Sequence, residues 1–307
     1  MNRTGIILIL LTILLLLVAY FLPDAEKQQV ADKNPYLSVL FVLMIVVLLA
    51  NFPKFSGISP VQKVNDVGLL IFIALMFSEL VFAKLAVLDP FLFPSPARVF
   101  LALFKDIDIL LDGLVSSITL LAAGYLLAVI TAIPLGLITG WKKRLFNAAY
   151  PFAKAVSPIP PTVYLPYSIV LLPSFKAASV FVIFIGAFWP IFVATVYGVF
   201  NIEPRLINSA RTLGLGNLEL MRRVVLPAAL PTIFSGALIA LILSFITLTV
   251  AEMIGTNSGL GWYIEYEHQF ANYDKLLAGM LFLGFAVVSI MFVFDRVQSY
   301  CLRWQKV

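Results

Sequence analysis

Apolar runs of bilayer-spanning length alternate with short polar breaks along the whole chain. Eight runs are predicted to span, over residues 5–22, 36–52, 67–88, 114–140, about 156–173, 177–200, 228–253 and 275–299. A transmembrane helix needs about 20 apolar residues to cross roughly 30 Å of hydrocarbon. The first run has 18 apolar residues behind Arg3. It is long for the core of a signal peptide and lacks an Ala-x-Ala cleavage site, so it reads as a membrane anchor.

Several runs carry interruptions. Pro90, Pro94 and Pro96 punctuate residues 89–112, and Ser95 is placed to cap a helix whose first residue is Pro96. From Val99 onward Leu101, Leu103, Phe104, Ile107 and Leu110 mix with Lys105, Asp106, Asp108 and Asp112. That mixture predicts an amphipathic helix lying at the interface rather than a span. The fourth run holds Gly124, Pro134, Gly136 and Gly140; small residues allow close helix approach and proline bends the helix. The fifth opens on the sequence SPIPP at residues 157–161 and meets Pro166, so its freed backbone groups need protein or water as partners and it is expected to line the interior. Pro190 interrupts the sixth run, and residues 254–274 read as a glycine-rich outer loop.

The longest polar interruption of the second half is NSARTLGLGNLELMRRVVLP, residues 208–227. A helix-compatible piece over 204–213 meets Gly214 and Gly216, a second short helical piece follows, and Leu226-Pro227 opens the next apolar run. The predicted shape is helix, tight turn, helix on one membrane face, a handle for a partner rather than a lipid-facing segment.

Composition supports the membrane class: 62% hydrophobic, 12% charged and a mean hydropathy of +1.02, against about 25% charged in soluble domains. No segment is polar enough for a large soluble catalytic domain. The net charge of +5 is a loop signal rather than a sign of nucleic-acid binding. With 208–227 placed in the cytoplasm, eight spans put both termini there, and 14 of the 21 Lys and Arg residues fall on that face, as the positive-inside rule expects. Cys301 is the only cysteine and His268 the only histidine, which excludes an intrachain disulfide and a cysteine-rich metal site; no metal ligand set is predicted.

The stretch 208–227 resembles the EAA motif of ATP-binding-cassette (ABC) importer permeases: Glu-Ala-Ala, three residues, Gly, nine residues, Ile-x-Leu-Pro. Ala210, Gly214, Val224, Leu226 and Pro227 fall in register, while Asn208 and Ser209 stand where the family has Glu and Ala. The resemblance extends over about residues 93–304 to the branch serving nitrate, alkanesulfonates, taurine and related solutes. It is carried by FPSP (93–96), IPLGL (133–137), SPIPP (157–161) and VAEMIGTNSGLG (250–261).

The resemblance implies an all-α polytopic membrane protein with the type I importer fold and two extra N-terminal helices. Its expected organisation is 1–66 as the extra pair, 67–112 as the first core helix with the interfacial helix, and 113–307 as the permease core with a cytoplasmic coupling loop at 201–227. It further implies a homodimer of permeases enclosing the path, two copies of an ABC ATPase carrying ATP and Mg, and an extracytoplasmic solute-binding protein. The setting is the cytoplasmic (inner) membrane of a bacterium or archaeon. No G-x-x-x-x-G-K-[ST] phosphate loop occurs, so the chain is read as a transport subunit without catalytic residues or a bound cofactor of its own. An ion-gradient-driven secondary transporter is the alternative, but that class favours paired repeats with two broken helices, and only the fifth run is strongly broken.

The expected ATPase-coupling residues are Asn208, Ser209, Ala210, Arg211, Gly214, Leu215, Gly216, Leu226 and Pro227. Candidates for the translocation path or gate are Glu252, Asn257, Ser258, Ser116 and Thr119. Glu252 has two readings: a path-lining carboxylate, because ionisable groups at membrane depth usually face a cavity or partner, or an acceptor for the glycine-rich loop that follows it. Ser116, Ser117 and Thr119 either line the path or bond between helices. Glu79 reads as a buried contact of the third span and His268 as a surface residue.

Overall fold

The computed structural model describes Leu85 and residues 88–305, and every regular element among them is helical. The first two predicted spans, Glu79 and nearly all of the third span lie outside the described residues. Among the described residues, four helices are long and apolar enough to cross a membrane: α2 (Ile107–Trp141), α5 (Phe175–Phe200), α8 (Leu226–Gly255) and α10 (Tyr273–Cys301). The shorter helices are α1 (Pro96–Lys105), α3 (Lys143–Val156), α4 (Leu165–Leu171), α6 (Pro204–Thr212), α7 (Asn217–Leu220) and α9 (Leu260–Gln269).

Two compact units divide the chain. Among the described residues, one takes in those up to Asp108 together with Glu267–Leu281, and the other Ile109–Tyr266 with those from Phe282 on. Within the first, α1 starts with Pro96 behind Ser95, as expected, but the Ser95 side chain makes no capping hydrogen bond, and the helix ends at Lys105 instead of running on to Asp112. Residues 107–112, which read from the sequence as interfacial, belong to the first two turns of α2. Asp106 is buried and meets Lys275 Nζ at 2.7 Å, while Glu267 takes the same ammonium at 3.6 Å. Val99 and Ala102 of α1 pack on Ala278 of α10.

In the second unit, α2 carries a stripe of small residues at four-residue spacings: Gly124, Ala128, Ala132, Gly136 and Gly140, all buried. Residues four apart share a helix face, and this face lies directly on α5. A Cβ at Gly124 would stand 2.6 Å from Ile183 Cγ2, and one at Gly136 would stand 2.6 Å from Thr195 Cβ. Without a hydrophobic driving force between helices in lipid, such close backbone approach supplies the packing energy. Ala187, Ile191, Phe192 and Val196 of α5 complete the core with Ala237 and Ala240 of α8. The Gly136→Leu variant therefore overpacks the α2–α5 seam and is expected to destabilise by about 1–3 kcal/mol or more. Thermal unfolding in detergent checks this against Gly284→Leu, where no atom lies within 4 Å of the new Cβ and the melt should hardly move.

The fifth predicted span differs most from the sequence reading. No membrane-length helix covers 156–173. The chain leaves α2, turns at Lys142 and forms the 14-residue α3, then a 3₁₀ turn at Pro161–Tyr164 and the seven-residue α4. Pro158, Pro160 and Pro161 cannot continue an α-helix, so they break this segment in its middle rather than opening a long helix. Residues 145–155, which no predicted span covers, are helical because α3 has an aromatic face. Phe146 stacks on Phe200 at 3.6 Å and on Tyr150 at 4.9 Å, and Ala153 is buried in the core. Leu165 anchors α4 against Val182 and Ala251.

Candidate functional site

The polar interruption folds as the spacing predicts. Pro204 occupies the first turn of α6, and the helix stops in a Schellman motif: Leu215 N–H donates to Ala210 O (3.3 Å) and Gly214 N–H donates to Arg211 O (2.9 Å). The left-handed residue such a stop requires is Gly214, at φ +81°. Ala210 and Leu215 meet in a cluster with Leu220, Val225, Ala229 and Val199, which ties the turn to the ends of α5 and α8. The second short helix does not stop before the next span. α7 passes through a π-helical turn at Met221–Val225 straight into α8, so Leu226 and Pro227 lie inside a continuous helical segment 39 residues long.

The two glycines are not equivalent. Gly216 caps α7 at φ −67°, open to any residue, and at neither glycine would an added Cβ meet an atom within 4 Å. Gly214→Ala is expected to cost about 1–2 kcal/mol, the left-handed penalty, and Gly216→Ala less, about 0.5–1 kcal/mol, the loss of a moderately favoured N-cap residue without backbone strain; hydrogen exchange of residues 204–220 reads the difference.

Asn208, Ser209, Arg211 and Gly214 are exposed, whereas Ala210 is an anchor, 6% exposed. Sequence reasoning missed the apolar residues of this surface: Leu213 is 80% exposed and Leu218 68%. Two leucines flanking a Gly-x-Gly turn in a polar stretch are the available signal. Arg205 and Arg223 pair locally with Glu203 (3.7 Å) and Glu219 (3.5 Å). The element thus presents two bare leucines ringed by charge, the pattern of an apolar anchor inside a polar rim.

A second constellation sits at the other end of α8. Glu252 is 1% exposed. Its Oε1 accepts from Ser117 Oγ at 2.6 Å and its Oε2 from Gly261 N–H at 2.8 Å; Ser117 Oγ in turn accepts from Leu260 N–H at 3.0 Å. Gly259, at φ +120°, lies against the carboxyl group, and any Cβ there would overlap it. Ser116 Oγ and Ser258 Oγ are 2.9 Å apart, and Thr256 Oγ1 donates to Glu252 O (3.1 Å) or Ser258 O (2.8 Å).

The loop 256–261 is therefore wound around a carboxylate, which satisfies two backbone N–H groups directly or through Ser117. Residues 260–269, expected to be loop, form α9, whose first turn is fixed by these bonds. Of the path candidates, Glu252, Ser116 and Ser258 come together. Thr119 is exposed and bonds its own helix at Val115 O (2.7 Å), and Asn257 is exposed on the loop. His268 is exposed on α9.

Residues 132–306 match the family described as binding-protein-dependent transport system inner membrane component. The chain belongs to this family. The match takes in α3, the 204–220 element and Glu252 with its loop. Among curated relatives, the nitrate import permease protein NrtB of Leptolyngbya laminosa is 35% identical over 169 residues, 55% of this chain and 61% of NrtB. The bicarbonate transport system permease protein CmpB of Synechococcus elongatus is 31% identical over 191 residues, 62% of this chain and 67% of CmpB. The chain thus spans about two thirds or less of the length of these two relatives. Among solved structures, the inward-facing MetNI methionine ABC transporter shares the fold at a TM-score of 0.56 and 20% identity, covering 64% of this chain and 98% of that one. This permease is accordingly an ABC importer subunit with the fold expected from its EAA-like loop.

Proposed function

We propose that this permease carries a small oxyanion of the nitrate or bicarbonate type, released from an extracytoplasmic binding protein, through a path formed by two copies of the chain. Each copy docks its 204–220 element on an ABC ATPase subunit, which holds ATP and Mg. The observation that carries the reading is the solvent-facing α6–turn–α7 element, anchored by Ala210, Leu215 and Leu220 to the helix ends and exposing Leu213 and Leu218. Because α7 runs without a break into α8, a push on the docked element reaches the Glu252 cluster along one helical segment. The orientation follows from the positive charge on the same face: both termini and the docking element in the cytoplasm, within the inner membrane of a bacterium or archaeon.

The solute class rests on what NrtB and CmpB are named for and on the neutral hydroxyl and amide character of the exposed candidates Thr119 and Asn257. An alkanesulfonate or taurine is the next choice, since each also presents a compact oxyanion head. The test is uptake of labelled nitrate and bicarbonate by proteoliposomes holding the complex and its binding protein. Uptake that needs ATP and persists without ion gradients supports the reading. Uptake driven by an imposed proton or sodium gradient without ATP supports a secondary transporter instead.

A further inference from the structure

At the foot of α2 and α5 lies a pocket of about 330 Å³, lined among others by Trp141, Lys143, Phe200, Ile207, Asn208 and Arg211. Its position is fixed by two spans that end there, at Trp141 and Phe200, so it sits at the boundary between hydrocarbon and water. Two cations line it. The Arg211 guanidinium stands 5.9 Å over the Trp141 ring, an arrangement that orients the cation without neutralising it. Neither Arg211 nor Lys143 has a carboxylate within ion-pair distance among the described residues, in contrast to Arg205 and Arg223 on the same element. Lys142 and Arg144 add charge beside it. Phe200, which lines the pocket, is one end of a continuous aromatic stack with Phe146, Tyr150 and Tyr197.

We propose that this pocket binds a phosphate group, supplied by the headgroup of an anionic phospholipid. Two unpaired cations and the Asn208 amide match a phosphate diester's oxygens, a tryptophan at the span end sits at headgroup depth, and the aromatic stack offers the acyl chains a wall. Basic pockets between membrane helices hold anionic headgroups by this combination. A soluble phosphate shares the charge chemistry but makes no use of the aromatic wall. Because Arg211 and Asn208 belong to α6, a bound headgroup would brace the docking element against the bilayer. The inference uses the ends of α2 and α5 together with α6, and it stands whether or not the ATPase and solute assignments hold.

The test is native mass spectrometry of the full chain, titrated with phosphatidylglycerol or with phosphatidylcholine of identical chains, each with and without inorganic phosphate. Phosphatidylglycerol should bind in preference, and Lys143→Gln should weaken it about fivefold, the loss of one cation near a lipid headgroup. Lys176→Gln, at the opposite end of α5, should leave binding unchanged. Equal binding of the two lipids, with Lys143-dependent binding of inorganic phosphate, would overturn the lipid source and assign the pocket to a soluble phosphate. Equal lipid binding insensitive to Lys143→Gln, with no phosphate adduct, overturns the proposal altogether.

Discussion

Glu252→Ala is expected to destabilise the folded permease by roughly 2–6 kcal/mol, the largest loss of any single substitution considered. Two buried donors, Ser117 Oγ–H and Gly261 N–H, point at this carboxylate, and each buried donor left without an acceptor costs about 1–3 kcal/mol. Glu252→Gln keeps one acceptor oxygen but turns an amide N–H₂ toward the other donor, so an intermediate loss is expected. Ser117→Ala removes the donor to Glu252 and the acceptor of Leu260 N–H together, and the double variant with Glu252→Ala should be less destabilised than the two singles summed. Thermal unfolding in detergent reads all four. A Glu252→Ala protein that melts like wild type but has lost transport would instead make Glu252 a path or gate group.

The second large effect falls on docking. In the Leu213→Asp/Leu218→Asp double variant, association with the ATPase should fall by at least about 100-fold. A buried leucine contributes about 1.5–3 kcal/mol, and two of them together exceed the roughly 2.8 kcal/mol that a 100-fold change represents. Both side chains are mostly exposed, at 80% and 68%, so the isolated permease should melt within about 0.5 kcal/mol of wild type. Ala210→Asp makes the opposite case. Ala210 sits inside the anchoring cluster, so a charge there disturbs the element itself and lowers both association and stability. Unchanged ATPase affinity in the leucine double variant would move the docking surface elsewhere.

The features legible in the sequence are those set by neighbours along the chain. The α2 stripe at Gly124, Gly136 and Gly140 appears as small residues in an apolar run because helix periodicity alone places them on one face. Gly214 appears as a turn because a helix stop calls for a left-handed residue within a few positions. The fifth span misleads for a physical reason: hydropathy averages over prolines, so SPIPP looks like the entry to a helix when it is the break within the segment. α3 falls between predicted spans and α9 looks like loop because their helicity depends on partners far along the chain, Phe200 for α3 and Ser117 with Glu252 for α9. Glu252 shows the limit most clearly. Its sequence neighbourhood admits both a gate and a loop anchor, and the decisive contact, Ser117, lies 135 positions away. The glycines at 259 and 261 signal close backbone approach, but not what they approach.

Detergent extraction of this permease from its native membrane, followed by mass spectrometry and an ATPase assay, tests the central claim most directly. An ATP-hydrolysing subunit recovered one-to-one with the wild-type chain, and lost with the Leu213→Asp/Leu218→Asp variant, is the predicted result. A chain recovered without such a subunit, or one that retains it equally in the leucine variant, would contradict the assignment of residues 204–220 as the coupling element.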